Sequence, residues 1–183
     1  MKNSHMSKTG GVMGLAACVM FLMTPISSPA QEKFRYSFKD PVGINKYVEQ
    51  HLLDVGDIAG HQIRVASLET KYADDAPEYA GIKVVGNRSW LTSDYVNGTG
   101  RFSTYSVTQM ANGDKIFTRA EGLAQTTVGA DGGRKTTYSQ VTTLTRGTGK
   151  FGTIRGVIKT GGTTDFKTGV ITVPSEGEYW FEK

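Results

Sequence analysis

Residues that build metal sites and covalent active sites are scarce in this chain. Its 183 residues include one cysteine, Cys18, and three histidines. His51 and His61 lie ten residues apart with no cysteine or third histidine beside them, so metal-ligand spacing is missing. The G-x-S-x-G motif of a nucleophile elbow is missing as well. We therefore expect no metal, no cofactor and no disulfide, and a serine or cysteine nucleophile has no sequence support.

An excess of charge of one sign is also missing. Lys and Arg number 21 against 17 Asp and Glu, a formal charge of +4. Lys2 and Lys8 fall in a leader that we expect to be removed, which leaves 19 basic residues and a charge of +2. These residues are scattered among acids, whereas nucleic-acid binding needs them clustered on one face. We expect no nucleic-acid partner.

No apolar run is long enough to cross a membrane as a helix. The run VMGLAACVMFLM at residues 12–23 has 12 residues, and a span needs about 20. A basic start before it, and Ser28 and Ala30 after it, follow the order of a secretory signal. We predict a signal peptide over residues 1–30, cleavage after Ala30, and a secreted or periplasmic protein. The alternative, a lipoprotein acylated at Cys18, is disfavoured because the apolar run continues past that cysteine.

Residues 31–60 form an N-terminal arm of mixed pattern. Ile44, Val48, His51 and Leu52 recur at helical spacing and predict a short helix over residues 44–53. The glycine-containing segment at residues 53–57 would end that helix.

From residue 61 onward the composition is that of a β-sheet protein. Thr and Gly supply 40 of the 153 residues that follow Ala30, and only three prolines occur there. Turn signals such as Asn97-Gly98 separate eight candidate strands, near residues 61–72, 81–95, 100–111, 114–128, 134–146, 150–160, 165–173 and 176–182. Short loops require antiparallel pairing, and closure removes bare edges. We predict an all-β fold, an eight-stranded antiparallel β-barrel over residues 61–183.

Two segments of the chain match at a spacing of 49 residues: GTGRFST from Gly98 and GTGKFGT from Gly147. We expect a turn at each, with Phe102 and Phe151 packed inside and the preceding basic residue in solvent. A good turn followed by a good strand would also explain the match. The second copy fits the dinucleotide fingerprint G-x-G-x-x-G, but the residues after it predict a strand and not the helix that a nucleotide site needs.

The region of the second copy also resembles a known family. LTRGTGKFGTIRG, from Leu144 to Gly156, is similar to the T-G-G-T-G-K-F-x-G-x-R-G signature of the allene oxide cyclase barrel and dirigent-like superfamily, with departures at Arg146 and Thr153. Residues 93–100, 112–117 and 175–181 resemble secreted bacterial members without assigned activity. The resemblance runs from about residue 55 to the end and implies an eight-stranded barrel and a homotrimer. No catalytic residue carries over.

Side chains that point into a barrel lumen are the candidates for a binding site. Alternation places Arg119 and Glu121 on one face of one predicted strand, and Tyr138 and Gln140 on one face of the next. Faces that mix apolar and polar groups predict a lumen that binds and orients a mostly apolar molecule. An exposed surface pair is the alternative for Arg119 and Glu121. Two aromatics, for which core packing is the alternative, complete the candidates: Trp90 and Tyr105.

Three functions fit these observations. The first is binding of a small hydrophobic ligand in the barrel without conversion. The second is a cyclase or isomerase that steers a reactive intermediate by shape, which would leave little trace in sequence. The third is a surface or interaction protein whose barrel is filled and whose loops and arm contact a partner. A lumen that is open or filled separates the first two from the third, and conversion of a bound compound separates the second from the first.

Overall fold

The computed structural model describes residues 31–41, 44–165, 171–172 and 174–183. Within residues 31–183, a single compact unit, these ranges are mostly β-sheet. One turn of 3-10 helix, Gly149–Phe151, interrupts them. The predicted signal peptide lies outside the described residues. The strands are β1 Lys33–Lys39, β2 Asn45–Asp54, β3 His61–Lys71, β4 Glu78–Tyr79, β5 Ile82–Val96, β6 Thr99–Met110, β7 Lys115–Val128, β8 Arg134–Gly147, β9 Ile154–Asp165, β10 Ile171–Thr172 and β11 Pro174–Phe181.

The strands form one antiparallel sheet. Its order is β1-β11-β9-β8-β7-β6-β5-β3-β2, with β4 on β5 and β10 on β9. From β5 to β9 each strand pairs with the next along the chain, as short loops predict. The first strand pairs instead with the last, with Lys33 opposite Trp180 and Lys39 opposite Pro174. The prediction of an all-β, antiparallel fold is confirmed, and β3 and β5 to β8 begin and end within one residue of the predicted bounds.

The turn between β5 and β6 shows how local sequence sets the register. Asn97 and Gly98 have φ of 52° and 81°, the left-handed geometry of a two-residue hairpin turn. The turn places Val96 opposite Thr99 and carries the pairing along both strands. Phe102 is consequently buried on the concave side, as its alternation predicts.

The second copy of the repeated segment folds differently. Gly149, at φ +48°, begins the 3-10 turn rather than a hairpin. Phe151 is fully buried and Lys150 is exposed, so the predicted orientation of both side chains is confirmed. A strand, β9, begins at Ile154, which agrees with the argument against a nucleotide-binding helix.

The predicted helix over residues 44–53 is wrong. Asn45–Asp54 is the strand β2, paired with β3 from Asn45 opposite Thr70 to Asp54 opposite Gln62. The helical stripe spans fewer than three turns, and an isolated helix of that length is marginal. A ladder with β3 supplies backbone hydrogen bonds along the whole segment and outweighs the weak local preference. With β1, this strand brings residues of the predicted arm into the sheet.

The sheet curves but is not closed. Tyr36 of β1 stacks on Tyr79 of β4, with ring centroids 5.0 Å apart, so distant parts of the sheet approach each other. Within the described ranges, however, no backbone ladder joins β1 to β2, the strands at its two ends. The eight-stranded closed barrel is therefore not confirmed. The described ranges hold 11 strands, because β1 and β2 join the sheet and β4 and β10 are two-residue pairings.

The hydrophobic core lies at one end of the concave face. Its fully buried side chains come from β6, β7, β8, the 3-10 turn and β9: Met110, Ile116, Leu144, Phe151 and Ile154. Tyr79, Val84 and Ile158 belong both to this core and to the lining of the concave face. The core therefore forms one end of the space that the curved sheet encloses.

Candidate functional site

The concave face of the sheet lines an open-sided cavity of about 850 Å³. This volume lies within the range of small-molecule sites. Alternation along each strand points every second side chain into it. Apolar side chains from six strands contribute to the lining: Leu52, Leu68, Leu91, Phe102, Ala120 and Ile158. We call this space the concave cavity.

Hydroxyl and amide groups on the cavity wall bond to one another across β5 and β6. Asn87 Nδ2 donates to Ser89 Oγ at 2.8 Å, and Ser89 Oγ lies 2.8 Å from Ser106 Oγ. Thr108 Oγ1 donates to Asn87 Oδ1 at 3.1 Å. Because these groups satisfy one another, this part of the wall is polar but carries little penalty for its partial burial.

Arg64 of β3 brings a positive charge to the cavity lining. Its guanidinium carbon lies 5.5 Å from the ring centroid of Tyr47 and 5.8 Å from that of Tyr95, distances at which a cation is attracted to an aromatic face. Its buried Nε has no hydrogen-bond partner in the described part of the chain. Burial raises the pKa of Tyr95 above its ordinary value, with the nearby Arg64 charge acting in the opposite direction. Arg64 thus places its positive charge between two aromatic rings, and its Nε–H group is available to donate a hydrogen bond.

A carboxyl group and several phenols line the other end of the cavity. Tyr72 Oη donates to Asp40 Oδ1 at 2.9 Å, and the Tyr72 ring packs edge-on against Phe38. Tyr72 and Arg64 are eight residues apart in extended chain, roughly 26 Å at the strand rise. The cavity therefore has a cationic end and an acidic, phenolic end, and the lining between them mixes apolar side chains with the hydroxyl and amide groups of β5 and β6.

Burial shifts the pKa of the groups at the phenolic end toward their neutral forms. It raises the pKa of Asp40, and the hydrogen bond from Tyr72 only partly offsets that effect. Burial also raises the pKa of Tyr36 to about 12 and that of Tyr72 further. On the wall, burial raises the pKa of Tyr138 to about 12. The three phenols therefore remain O–H donors at neutral pH.

The structure brings Tyr138 and Gln140 of the predicted site residues into the cavity. Both lie on β8 and line the concave face, with Tyr138 opposite Ala124 and Gln140 opposite Gly122 on β7. The Phe102 ring of β6 lies over Gly122, in the space that a side chain there would fill. Tyr138 also packs edge-on against Phe102, with ring centroids 6.4 Å apart.

The other four predicted site residues lie on the convex face. Arg119 and Glu121 are exposed and stand opposite Thr143 and Val141, so they point away from Tyr138 and Gln140. Their placement agrees with the alternative interpretation of Arg119 and Glu121 as exposed surface residues. Trp90 and Tyr105 lie on the same convex face and are 43% and 40% exposed. Their ring centroids are 6.2 Å apart.

Sequence reasoning missed the charged groups of the cavity. Alternation places Arg64 and Tyr72 on the same face of a predicted strand. Nothing in that strand's sequence indicates that this face is the concave one. Asp40 and Tyr36 lie in the arm, whose pairing with β11 links residues about 140 positions apart. The alternating run Phe34-Arg35-Tyr36-Ser37-Phe38 is a local signal for a strand there.

The described ranges contain no group of three His, Cys, Asp or Glu side chains placed to hold a metal ion. In the same ranges, no helix has the length and apolar character to cross a membrane. Comparison with family models, curated proteins and solved structures finds no match to this chain.

Proposed function

We propose that this is a secreted or periplasmic protein that binds a small, mostly apolar molecule in the concave cavity. The observation that carries the proposal is an 850 Å³ space whose lining combines apolar side chains with many hydroxyl and amide groups and with the charged or phenolic groups of Arg64, Asp40 and Tyr138. Ligand sites combine apolar contact area with polar groups that fix the orientation of the ligand. The signal-like residues 1–30 and the resemblance to the allene oxide cyclase and dirigent-like group, whose barrel would here be left open, are part of the same proposal.

The two kinds of lining have different roles in this proposal. Contact with Leu68, Leu91 and Phe102 removes apolar ligand surface from water and supplies most of the affinity. The Arg64 guanidinium, already held between two rings, donates to an oxygen of the ligand at one end. The hydroxyl groups that are bonded to one another impose little cost when water leaves them.

Two measurements on the protein purified from its secreting host test the proposal. Native mass spectrometry reports the mature mass, and thus cleavage after Ala30, together with any retained molecule. Titration with the fluorescent probe 1-anilinonaphthalene-8-sulfonate then reports binding to an apolar cavity. We expect saturable binding of one probe per chain. Absence of both a retained molecule and saturable probe binding would contradict the proposal.

A pair of tyrosine variants locates the probe. Tyr138→Ala removes a ring from the cavity, whereas Tyr105→Ala removes an exposed ring from the convex face. Loss of one aromatic contact should raise the Kd of the probe by about tenfold for Tyr138→Ala. Tyr105→Ala should leave the Kd within about twofold. Equal losses in both variants would place the probe outside the cavity.

The Asp40–Tyr72 hydrogen bond favours a second candidate function, a cyclase or isomerase. Asp40 lines the cavity, its pKa is raised by burial, and it accepts from Tyr72 at 2.9 Å. A carboxyl group that holds its proton more readily than usual is suited to donate that proton to a substrate and to recover it. Incubation of a retained molecule with the wild type and with Asp40→Asn, followed by mass spectrometry, tests this candidate. Conversion by the wild type alone supports it, and no conversion by either protein contradicts it.

A further inference from the structure

β2 leaves one backbone edge of the sheet bare. It pairs with β3 on one side, and within the described ranges no strand pairs with its other side. All of its ten residues, Asn45–Asp54, are exposed. At the opposite end of the sheet, Tyr36 and Phe38 of β1 pack against rings from the connection between β3 and β5. Unpaired N–H and C=O groups along a strand of this length are a template for another strand.

The side chains of β2 favour association. Tyr47, Val48, Leu52 and Leu53 are 49%, 54%, 58% and 67% exposed. Edges that resist association usually carry proline or several lysines, whereas β2 has one lysine, Lys46, and no proline. Its bulge lies between Tyr47 and Glu49, so the pairing with β3 is regular from Glu49 to Asp54.

We propose that β2 pairs antiparallel with β2 of a second copy of this chain, about a twofold axis at Gln50. In such an interface each residue must suit the residue that the axis places opposite it. The axis places Glu49 of one copy opposite His51 of the other, a carboxylate facing an imidazole. Beyond the bulge at Val48 it places Tyr47 opposite Leu52, an aromatic against an aliphatic side chain. The strand is therefore complementary to itself.

Opposed residues in antiparallel strands must point to the same face of the sheet, and β2 meets that condition. Tyr47, Gln50 and Leu52 all line the concave cavity. Glu49 and His51 contact each other within one chain at 2.8 Å and pair with β3 residues of the convex face, Ser67 and Val65. The pairing would join the concave cavities of two copies along their open sides. It does not depend on which molecule the cavity binds.

An engineered disulfide tests the axis directly. Opposed Cα atoms of antiparallel strands are about 4.5–5.5 Å apart, within the range that a disulfide bridges. In a Cys18→Ser background, Gln50→Cys should therefore form a covalent dimer under mild oxidation. Leu123→Cys, an exposed position on the convex face of β7, is the control and should not. Failure of Gln50→Cys to crosslink, or equal crosslinking at both positions, would overturn the proposal.

Sedimentation of the secreted protein tests the same contact without a crosslink. We expect a dimer in the wild type. Leu53 faces Lys46 of the second copy, so Leu53→Lys should raise the dimer Kd about tenfold, whereas Leu123→Lys should not change it. A monomer at all concentrations, or the trimer that the family resemblance implies, would overturn the proposal, as would a dimer insensitive to Leu53→Lys.

A charge exchange separates lost pairing from lost folding. His51→Glu sets two carboxylates opposite each other and should weaken the dimer. Adding Glu49→Lys restores opposite charges across the axis and should restore it. A general loss of folding would not be repaired by the second substitution. Absence of rescue in a folded double variant, with melting checked by circular dichroism, would contradict the proposed register.

Discussion

Replacement of Gly149 by alanine should destabilise the protein through two local effects. Gly149 has φ +48°, a backbone conformation that L-residues with a Cβ rarely adopt. An added Cβ would also overlap the carboxylate of Asp114. That carboxylate accepts from the Lys150 backbone N at 3.0 Å and from Asn112 Nδ2 at 2.7 Å. The substitution must therefore strain the backbone and displace a hydrogen-bonded group.

The size of the effect follows from these two terms. Left-handed backbone geometry costs about 1–2 kcal/mol for a residue with a Cβ. Loss of one or two hydrogen bonds to the displaced carboxylate adds about 0.5–1.5 kcal/mol each. We expect the free energy of unfolding to fall by about 2–4 kcal/mol. At about 2–4 °C per kcal/mol for a domain of this size, the melting temperature should fall by about 4–16 °C.

Gly152 is the matched control, since it lies three residues away in the same turn. Its φ and ψ are −53° and −37°, and the nearest atom to an added Cβ is the Gly149 carbonyl oxygen at 3.4 Å. Gly152→Ala should leave stability unchanged or raise it by up to about 1 kcal/mol. Thermal and denaturant unfolding of both variants measure the difference. Equal stabilities for Gly149→Ala and Gly152→Ala would refute the conformational argument.

Two further predictions concern the ends of the concave cavity. Because burial raises the pKa of Asp40, the folded state binds a proton more readily than the unfolded state, and stability should fall as pH rises through the raised pKa. Asp40→Asn should thus be more stable than the wild type at pH 7 and equal to it near pH 3 by denaturant unfolding; a less stable variant at pH 7 would contradict this. Arg64→Met should raise the Kd of the anionic probe 1-anilinonaphthalene-8-sulfonate about tenfold. It should leave the Kd of the uncharged probe N-phenyl-1-naphthylamine within about twofold of the wild-type value. Equal effects on both probes would show that Arg64 does not orient the ligand through its charge.

Most of the sheet could be predicted because its strands, turns and strand pairing are determined by residues close together in the chain. From β5 to β8 the strands alternate, end at turn residues such as Asn97-Gly98, and pair with their neighbours in the chain. β1 and β2 could not be predicted in the same way. β1 pairs with β11, so Phe34 stands opposite Tyr179 across almost the whole chain, and no local pattern encodes that partner.

The cavity residues could be predicted only one strand at a time. Alternation correctly sorts the side chains of β7 into two faces, and those of β8 into two faces. Which face of β7 continues which face of β8 is set by the connection between the two strands. Val128 stands opposite Arg134, and five residues between them fix the pairing that sets Glu121 opposite Val141. A register shifted by one residue would have placed Glu121 opposite Gln140, on one face. The sequence does not specify that register, so alternation alone cannot decide whether Arg119 and Glu121 share a face with Tyr138 and Gln140.

Packing and the proposed binding site use the same side chains at the phenolic end. Tyr79 stacks on Tyr36 and meets Tyr179 edge-on, with centroids 5.0 and 5.2 Å apart, so these rings hold β1, β4 and β11 together. Tyr36 and Tyr79 also line the concave cavity. A molecule that contacts them in the folded state has no equivalent site in the unfolded chain, so its binding must stabilise the docking of β1. If the cavity binds a ligand as proposed, the position of the first strand and occupation of the cavity are coupled.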